Sequence, residues 1–479
     1  MFPTWLRQFG NLRRIKPGSP NWLHLGSNRL RCFQRKTTKC VCIRFTKIHK
    51  KTIEIFMKRR QYFIHIRKTA GTSLYSLIQR NYDWSTEVLY QASQWREFWR
   101  LKPRQLQKAL FIRGHTGVNL CKLIQDEIDC FTFLREPVNR CLSDINYAWY
   151  KENHWPHNIL RKGFLTAKQA VRDLRFRTFF YNHQTMNLGL DLDLAEIWNK
   201  APMFSSPIWS SVTEEEMIKV LGNAKATLDR CYFVGIMELF NLSYLTLCQL
   251  NKWRPDLEAE KQRSTPRDWL DETLDQECRT HLKELNRYDE LLYQYGLKHF
   301  EKLFYKTFDK TINAAALLTD PLLKKRLETE IRGRVMDSYE SSLRRSAPIF
   351  HWDASMPING TGWHDVHAPE DNPHRWSGPK TESDIDLVLE PQTEYLLKIS
   401  ILAASHRKNL SQIKVFINGR RTKIRTRGRV LEIKIPKTAA RKQGFARVSF
   451  KVPRTTCLNA DDSLKRGFAL QAWELVRTN

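Results

Sequence analysis

Tyr62-Phe-Ile-His-Ile-Arg-Lys-Thr-Ala-Gly-Thr-Ser73 runs on into Leu74-Tyr75-Ser76-Leu77. An apolar run of strand length gives way to a tight polar turn, and the turn gives way to a helical pattern. Gly71 allows the backbone to turn sharply and to approach a ligand closely. Thr72 or Ser73 can cap the helix that follows. The amides at that helix start form an anion site, reinforced by the helix dipole. Lys68 adds a mobile positive charge, and Thr69, Thr72 and Ser73 add hydroxyl donors. The loop Arg67, Lys68, Thr69, Ala70, Gly71, Thr72, Ser73 is therefore expected to cradle a phosphate. It is not the nucleoside-triphosphatase version, because no GxxxxGK[ST] occurs. That argues against hydrolysis of ATP or GTP. An ordinary capped helix is the plainer reading of this stretch taken alone.

Phe131-Thr-Phe-Leu-Arg-Glu-Pro-Val-Asn-Arg-Cys-Leu-Ser143 repeats the same logic. An apolar strand ends at Leu134, Arg135 emerges at its tip, and Pro137 suits the first turn of a helix. Ser143 follows Arg135 by eight residues, a little over two helical turns. The two can converge on one anion, Arg135 as a bidentate donor and Ser143 as a neutral one. The bland alternative is a surface salt bridge and a solvated serine. Between the two motifs lies a third strand-to-loop junction, Leu110-Phe-Ile-Arg-Gly-His-Thr-Gly117. Gly114 and Gly117 keep the loop open around His115. A histidine can take a proton from a hydroxyl near neutral pH; a structural histidine closing a turn is the alternative.

Working outward, these junctions belong to a run of strand–helix alternation. Short apolar runs at Tyr62–Ile66, Ala109–Ile112, Cys130–Leu134 and Cys231–Val234 each precede a polar turn and a helical pattern. That alternation predicts an α/β domain over residues 61–310, with a mainly parallel sheet flanked by helices. Ligands of such sheets bind at the carboxyl ends of the strands. A helical stretch is expected from Leu270 to Phe304. A charged helical connector follows over residues 311–349, its helix running from Leu322 to Arg345.

Residues 350–479 change character. Alternating stretches at Tyr395–Ile401, Ile413–Ile417, Val430–Ile435 and Ala446–Val452 predict an all-β sandwich, jelly-roll-like, with a hairpin turn at Asn418-Gly419. Trp352, Trp363, His364, His367, Arg375 and Trp376 open that domain, either as a sugar-binding surface or as core.

The chain has 479 residues, 80 Lys+Arg and 50 Asp+Glu, a net charge of +30. Residues 1–60 hold 16 Lys+Arg against one acid, Glu54, and carry half of that excess. They read as a basic arm, partly disordered, or as a stretch upstream of a true start at Met57. A basic balance suits polyanionic partners or a multiply charged cofactor. No nucleic-acid motif occurs, so no specific nucleic-acid binding is expected. The ten cysteines form no CxxC pair or zinc-like series, and no metal is expected. No apolar run reaches 18 residues and no secretory signal stands out, so a cytoplasmic protein without a transmembrane segment is expected.

The first loop resembles the 5′-phosphosulfate loop of the carbohydrate sulfotransferases that use 3′-phosphoadenosine 5′-phosphosulfate (PAPS), written HIPKTGGTS or HIPKTAGTS. Arg67 stands where proline is usual. The second motif is similar to that family's 3′-phosphate motif, an R-[DE]-P segment followed by a serine at this spacing. His115 matches the base in the G-H segment of the glycan 2-O-sulfotransferases. Looser likenesses lie in Tyr232–Glu238 with Phe240, in Asn182-His-Gln184-Thr185, and in Asn286, Asp289 and Tyr293. Together they extend the resemblance over roughly residues 61–305. It implies a P-loop-type fold and a PAPS-dependent sulfotransferase acting on a carbohydrate hydroxyl, a polysaccharide among the candidate acceptors. Lys68 and His115 would be catalytic. Arg67 to Ser73, Arg135 and Ser143 would hold PAPS. The alternative is a catalytically silent carbohydrate-binding protein that kept the fold.

Overall fold

The computed structural model describes residues 59–479 apart from 84–88, 93–106, 108, 125–126, 153–154, 193–211, 258–268, 271–273, 368–371, 441–443, 460–463 and 479. The basic arm expected over residues 1–60 lies outside the described residues, except for Arg59 and Arg60.

Five strands make the first sheet: β1 (Gln61–Ile64), β2 (Leu89–Ala92), β3 (Phe111–Gly114), β4 (Asp129–Leu134) and β5 (Phe233–Ile236). Their order is β2-β3-β1-β4-β5, and every neighbouring pair is parallel. β1, β3 and β5 are buried at every residue, as strands covered on both faces are. Phe63 stacks on Phe131 at 4.9 Å, and Phe131 and Phe133 reach on to Phe233. The aromatic residues that read as apolar runs thus form one seam across the sheet.

The helices that matter for the site follow the strands. They are α1 (Gly71–Ile78), α2 (Pro137–Tyr150), α3 (His183–Gly189), α4 (Glu214–Arg230), α5 (Phe240–Asn251) and α6 (Arg287–Phe308). The chain fills β3 and β2 on one side of β1 and then crosses to β4 on the other. That reversal makes the carboxyl ends of β1 and β4 a topological switch point, the place where open α/β sheets bind ligands. All three sequence motifs sit on this edge.

The helix expected from Leu270 to Phe304 is interrupted. One helix ends at Leu285 and α6 starts at Arg287, with Asn286 between them. The reason is tertiary and is given below. The strand at 89–92 has no counterpart among the expected strands.

The C-terminal strands form two antiparallel sheets. In chain order they are β6 (His351–Asp353), β7 (Gly360–Thr361), β8 (Trp363–His367), β9 (His374–Ser377), β10 (Glu382–Val388), β11 (Glu394–Ala404), β12 (Lys414–Ile417), β13 (Arg420–Thr422), β14 (Ile424–Arg427), β15 (Val430–Ile435), β16 (Phe445–Lys451) and β17 (Phe468–Thr478). One sheet has the order β13-β12-β16-β10-β7, and the other runs β14-β15-β11-β17-β9-β8 with β6 against β17. Both sheets contribute to one core, with Ile385, Val415 and Val448 from the first and Leu397, Ile433 and Trp473 from the second. The expected hairpin turn joins β12 to β13. Asn418 has φ 49° and Gly419 φ 79°, the left-handed pair that a tight type I′ turn needs.

The connector is a shared wall. Helix α7 (Pro321–Leu343) starts on an Asp320 cap with proline in its first turn. Its Leu327, Ile331 and Val335 join the core of the parallel sheet, whereas Tyr339 and Leu343 pack on Phe445 of the sandwich. The seam between the two halves is polar and buried. Arg254 pairs with Asp384 and with Asp386, at 2.8 Å to the latter. Asp386 also accepts from Arg447 Nε at 2.8 Å and from the Tyr339 hydroxyl at 3.1 Å. Among the described residues, no helix is long and apolar enough to cross a membrane.

Candidate functional site

The first loop turns on two residues with positive φ, Lys68 and Ala70, each at 65°. Side chains in that region cost roughly 1–2 kcal/mol each, so the loop holds its shape against local preference. Ala70 is the N-cap of α1 and offers no side-chain cap. Neither Thr72 nor Ser73 caps the helix, in contrast to the sequence expectation, because both lie inside its first turn. The first helical bond runs from Leu74 N–H to the Ala70 carbonyl at 3.0 Å. The amides of Thr69 to Ser73 take no partner among the described residues, which suits an anion cradle. Thr69 is committed elsewhere: its hydroxyl is buried and donates to the Ile66 carbonyl at 2.9 Å.

Gly71 has a physical reason to be glycine. A Cβ there would lie 1.7 Å from His65 Nε2. The His65 ring is held between Phe63 at 5.1 Å and His115 at 4.2 Å, so it has little room to yield. Gly71→Ala is expected to destabilise the protein by about 1–3 kcal/mol through overpacking, read as a lowered midpoint in urea denaturation. An unchanged midpoint would mean that the ring moves freely.

Arg67 faces α2. Its guanidinium pairs with Asp144 at 2.9 Å and lies 5.0 Å from the centre of the Phe179 ring. Arg140 closes the other side of Asp144 at 3.5 Å and donates to the Phe179 carbonyl at 2.6 Å. Burial pushes the Asp144 carboxyl up, but Arg67, Arg140 and Lys68 outweigh it and hold the group down at about 2. An ion pair therefore fixes a turn that a proline ring would otherwise restrict. The Arg67 side chain serves the loop's position.

Lys68 Nζ sits 4.2 Å from the centre of the Tyr147 ring. Burial lowers its ammonium to about 8, with Arg67, Arg135 and Arg140 adding to the effect against Asp144. Ser143 is one helical turn before Tyr147, on the same face of α2, and is half-buried. The lysine and the serine thus border the same side of the loop.

Arg135 ties the second junction to the first. Its guanidinium donates to the Lys68 carbonyl at 2.9 Å and lies 4.0 Å from Glu238. No hydrogen bond links Arg135 to Ser143 among the described residues; both are half-buried, at the tip of β4 and two turns along α2. The Glu136 carboxylate caps α2, accepting from the amides of Val138 and Asn139 at 3.0 and 2.7 Å.

The looser sequence likenesses prove to be the frame behind Arg135. Gln184 grips the Arg135 backbone from both sides, accepting its N–H at 2.9 Å and donating to its carbonyl at 2.8 Å. Asp289, wholly buried, accepts the amides of Gln184 and Thr185 at 3.0 and 2.7 Å. Asn182 accepts from the amides of Tyr288 and Asp289, and Asn286 accepts from that of Asn182. Asn286 interrupts the long helix to make this bond. Tyr293 donates to Glu238 at 2.9 Å, and Glu238 accepts the Glu136 amide at 3.1 Å. Three segments, around Gln184, Glu238 and Asp289, therefore converge on the backbone of Arg135 and Glu136. A buried network satisfied in this way fixes one geometry.

His115 leaves β3 beside the first loop. Its Nδ1 lies 2.8 Å from the His65 carbonyl oxygen. A carbonyl only accepts, so Nδ1 carries the proton and Nε2 carries the lone pair, the tautomer that a general base needs. Burial lowers the ring to about 4, with Arg67 and Arg113 contributing, so it is neutral at pH 7. Arg113, missed in the sequence, stacks over Tyr75 of α1 at 3.9 Å. It braces the strand end that carries His115.

In the sandwich, the tryptophans that opened the domain fill it. Trp352 is 0% exposed and stacks on Trp473 at 4.0 Å; Trp363 and Trp376 are 8% exposed. Arg375 is fully buried and donates to the Ala354 and Met356 carbonyls. Trp352 and Trp363 belong to the sandwich core, whereas His367 is exposed, and His364 lines, with Trp363, an open cavity of about 380 Å³.

No family model matches the chain, and no curated protein does. Among solved structures, a family GH115 4-O-methyl-α-glucuronidase with specificity for decorated arabinogalactans aligns at 10% identity, with a TM-score of 0.18. The alignment covers 82% of this chain and 51% of that one, so the chain spans about half the length of that enzyme.

Proposed function

We propose that the parallel-sheet domain is a P-loop-type sulfotransferase that moves a sulfuryl group from PAPS to a hydroxyl of a carbohydrate acceptor. The observation that carries this reading is the pair of anion-binding junctions at the carboxyl ends of β1 and β4, tied by the bond from Arg135 to the Lys68 carbonyl. PAPS has two phosphate-bearing ends, and the two junctions supply a donor set for each. The unpartnered amides of the first loop, with Thr72 and Ser73, hold the 5′-phosphosulfate. Arg135 and Ser143 hold the 3′-phosphate, and the frame of Gln184, Asp289 and Glu238 keeps Arg135 in place.

In-line transfer asks the protein to position both partners and to stabilise charge on the leaving phosphate. Lys68 does the second, as a partly buried ammonium whose charge is little screened. His115 Nε2 accepts the acceptor's hydroxyl proton. Arg67 holds the loop to α2 through Asp144.

Calorimetric titration with 3′-phosphoadenosine 5′-phosphate, against adenosine 5′-phosphate as control, tests the donor site. The first ligand is expected to bind much more tightly than the second. Arg135→Ala is expected to weaken it roughly 10–150-fold, the loss of a hydrogen bond to a charged group. Equal affinity for both ligands, or no binding by the folded protein, would overturn the reading.

A further inference from the structure

Away from the anion-binding edge, Cys121 and Cys130 stand with their sulfurs 3.5 Å apart. Cys121 lies in the 3₁₀ turn Val118–Leu123, directly after the loop that carries His115. Cys130 is the second residue of β4, paired in register with Tyr62 of β1. We propose that these two thiols are a site of covalent modification, closing to an intramolecular disulfide by exchange with a low-molecular-weight disulfide such as glutathione disulfide.

The geometry requires little movement. A disulfide bond is about 2.0 Å long, so the sulfurs must approach by roughly 1.5 Å. Cys121 belongs to a short turn, which moves more readily than β4 inside its sheet. Reagent can reach the pair. Both cysteines are half-buried, and both line an open cavity of about 640 Å³ whose wall also includes Arg230. Cations beside a thiol favour the thiolate, the form that attacks. The thiol of Cys121 is held below its usual range, first by its hydrogen bond with Cys130 and then by Arg230. That of Cys130 is pushed up, so Cys121 attacks first and Cys130 resolves.

The exchange balances. The Cys121 thiolate attacks one sulfur of glutathione disulfide, and one glutathione thiolate leaves. Cys130 then gives up its proton and attacks the Cys121 sulfur of the mixed disulfide, and the second glutathione leaves. The protein loses two thiol protons and two electrons, and the reagent becomes two molecules of glutathione.

The bond would bear on the His115 loop. That loop is held through the Tyr62 hydroxyl, which donates to the Gly117 carbonyl at 2.8 Å, and through Asn119, which donates to Leu190 at 2.7 Å. A Cys121–Cys130 bond adds a covalent tie from the far end of this segment to β4.

The full chain is to be incubated with glutathione disulfide, digested without reduction and analysed by mass spectrometry. A Cys121–Cys130 peptide lighter by two hydrogens is expected, reversed by dithiothreitol and lost in Cys121→Ser and in Cys130→Ser. Amide hydrogen exchange across residues 114–123 is expected to slow in the oxidised form. Exposed Cys457 reports that the reagent works. If Cys457 is modified while Cys121 and Cys130 stay reduced, the site is wrong. If the bond forms and exchange is unchanged, the coupling to the His115 loop is wrong.

Discussion

Replacing His115 with alanine is expected to lower kcat for sulfuryl transfer by about 10²–10⁴-fold, the usual contribution of a positioned general base. The donor ligand should bind with nearly unchanged affinity, because the loop amides, Arg135 and Ser143 are untouched. His115→Asn separates the base from the brace. Asparagine can still donate to the His65 carbonyl, as Nδ1 does at 2.8 Å, but it has no basic nitrogen. Near-normal turnover in His115→Asn would reduce the histidine to a turn-closing residue. The pH profile gives a second readout. His115 is lowered to about 4, so its basic form is complete above that pH and is lost only below it. Lys68 is lowered to about 8, so its charge is present below that pH and is lost as pH rises through it. The profile of kcat/KM, which reports the free enzyme, should be flat between about pH 4 and pH 8 and fall on either side. An acid limb near 6.5 would mean that the base is a solvated histidine elsewhere.

The parts of this site that sequence reading found are those whose logic is local. Gly71 turns the chain, Pro137 opens a helix, and His115 sits between two glycines. Each follows an apolar strand, so each lands on the carboxyl edge of the sheet. The parts whose roles local pattern could not give depend on partners far along the chain, even where the resemblance had named the residue. Asn286 looks like one more residue in a helix from Leu270 to Phe304, yet it breaks that helix to bond the amide of Asn182. Gln184 carries no local sign that it will clamp Arg135. Arg67 reads as an extra anion-binding charge until Asp144, on another helix, is placed beside it. The tryptophans of the sandwich suit a sugar surface and a core equally well by composition, and only burial decides between them. Periodicity and turn chemistry therefore placed these loops on the carboxyl edge of the sheet, whereas tertiary pairing fixes how their side chains are held.

The other large effect lies at the seam, where Arg254→Ala is expected to cost about 3–5 kcal/mol of stability. Removing one member of a buried ion pair leaves the other charge without compensation. Arg254 reaches from the parallel-sheet half to Asp384 and Asp386 on β10, and the Asp386 side chain is fully buried. The variant leaves Asp386 to Arg447 and Tyr339, and leaves Asp384 to the amide and hydroxyl of Thr361. Asp386 would then keep the Arg447 guanidinium, and Asp384 would keep only the uncharged donors of Thr361. α7 still spans both cores through Ile331 and Leu343, so the halves stay connected while the polar latch between them is gone. Denaturation should accordingly change in form as well as midpoint. Wild-type protein is expected to lose the sandwich and the parallel sheet together, whereas Arg254→Ala should separate them into two transitions. A single variant as stable as wild type would place the seam's strength in the apolar contacts of α7 alone.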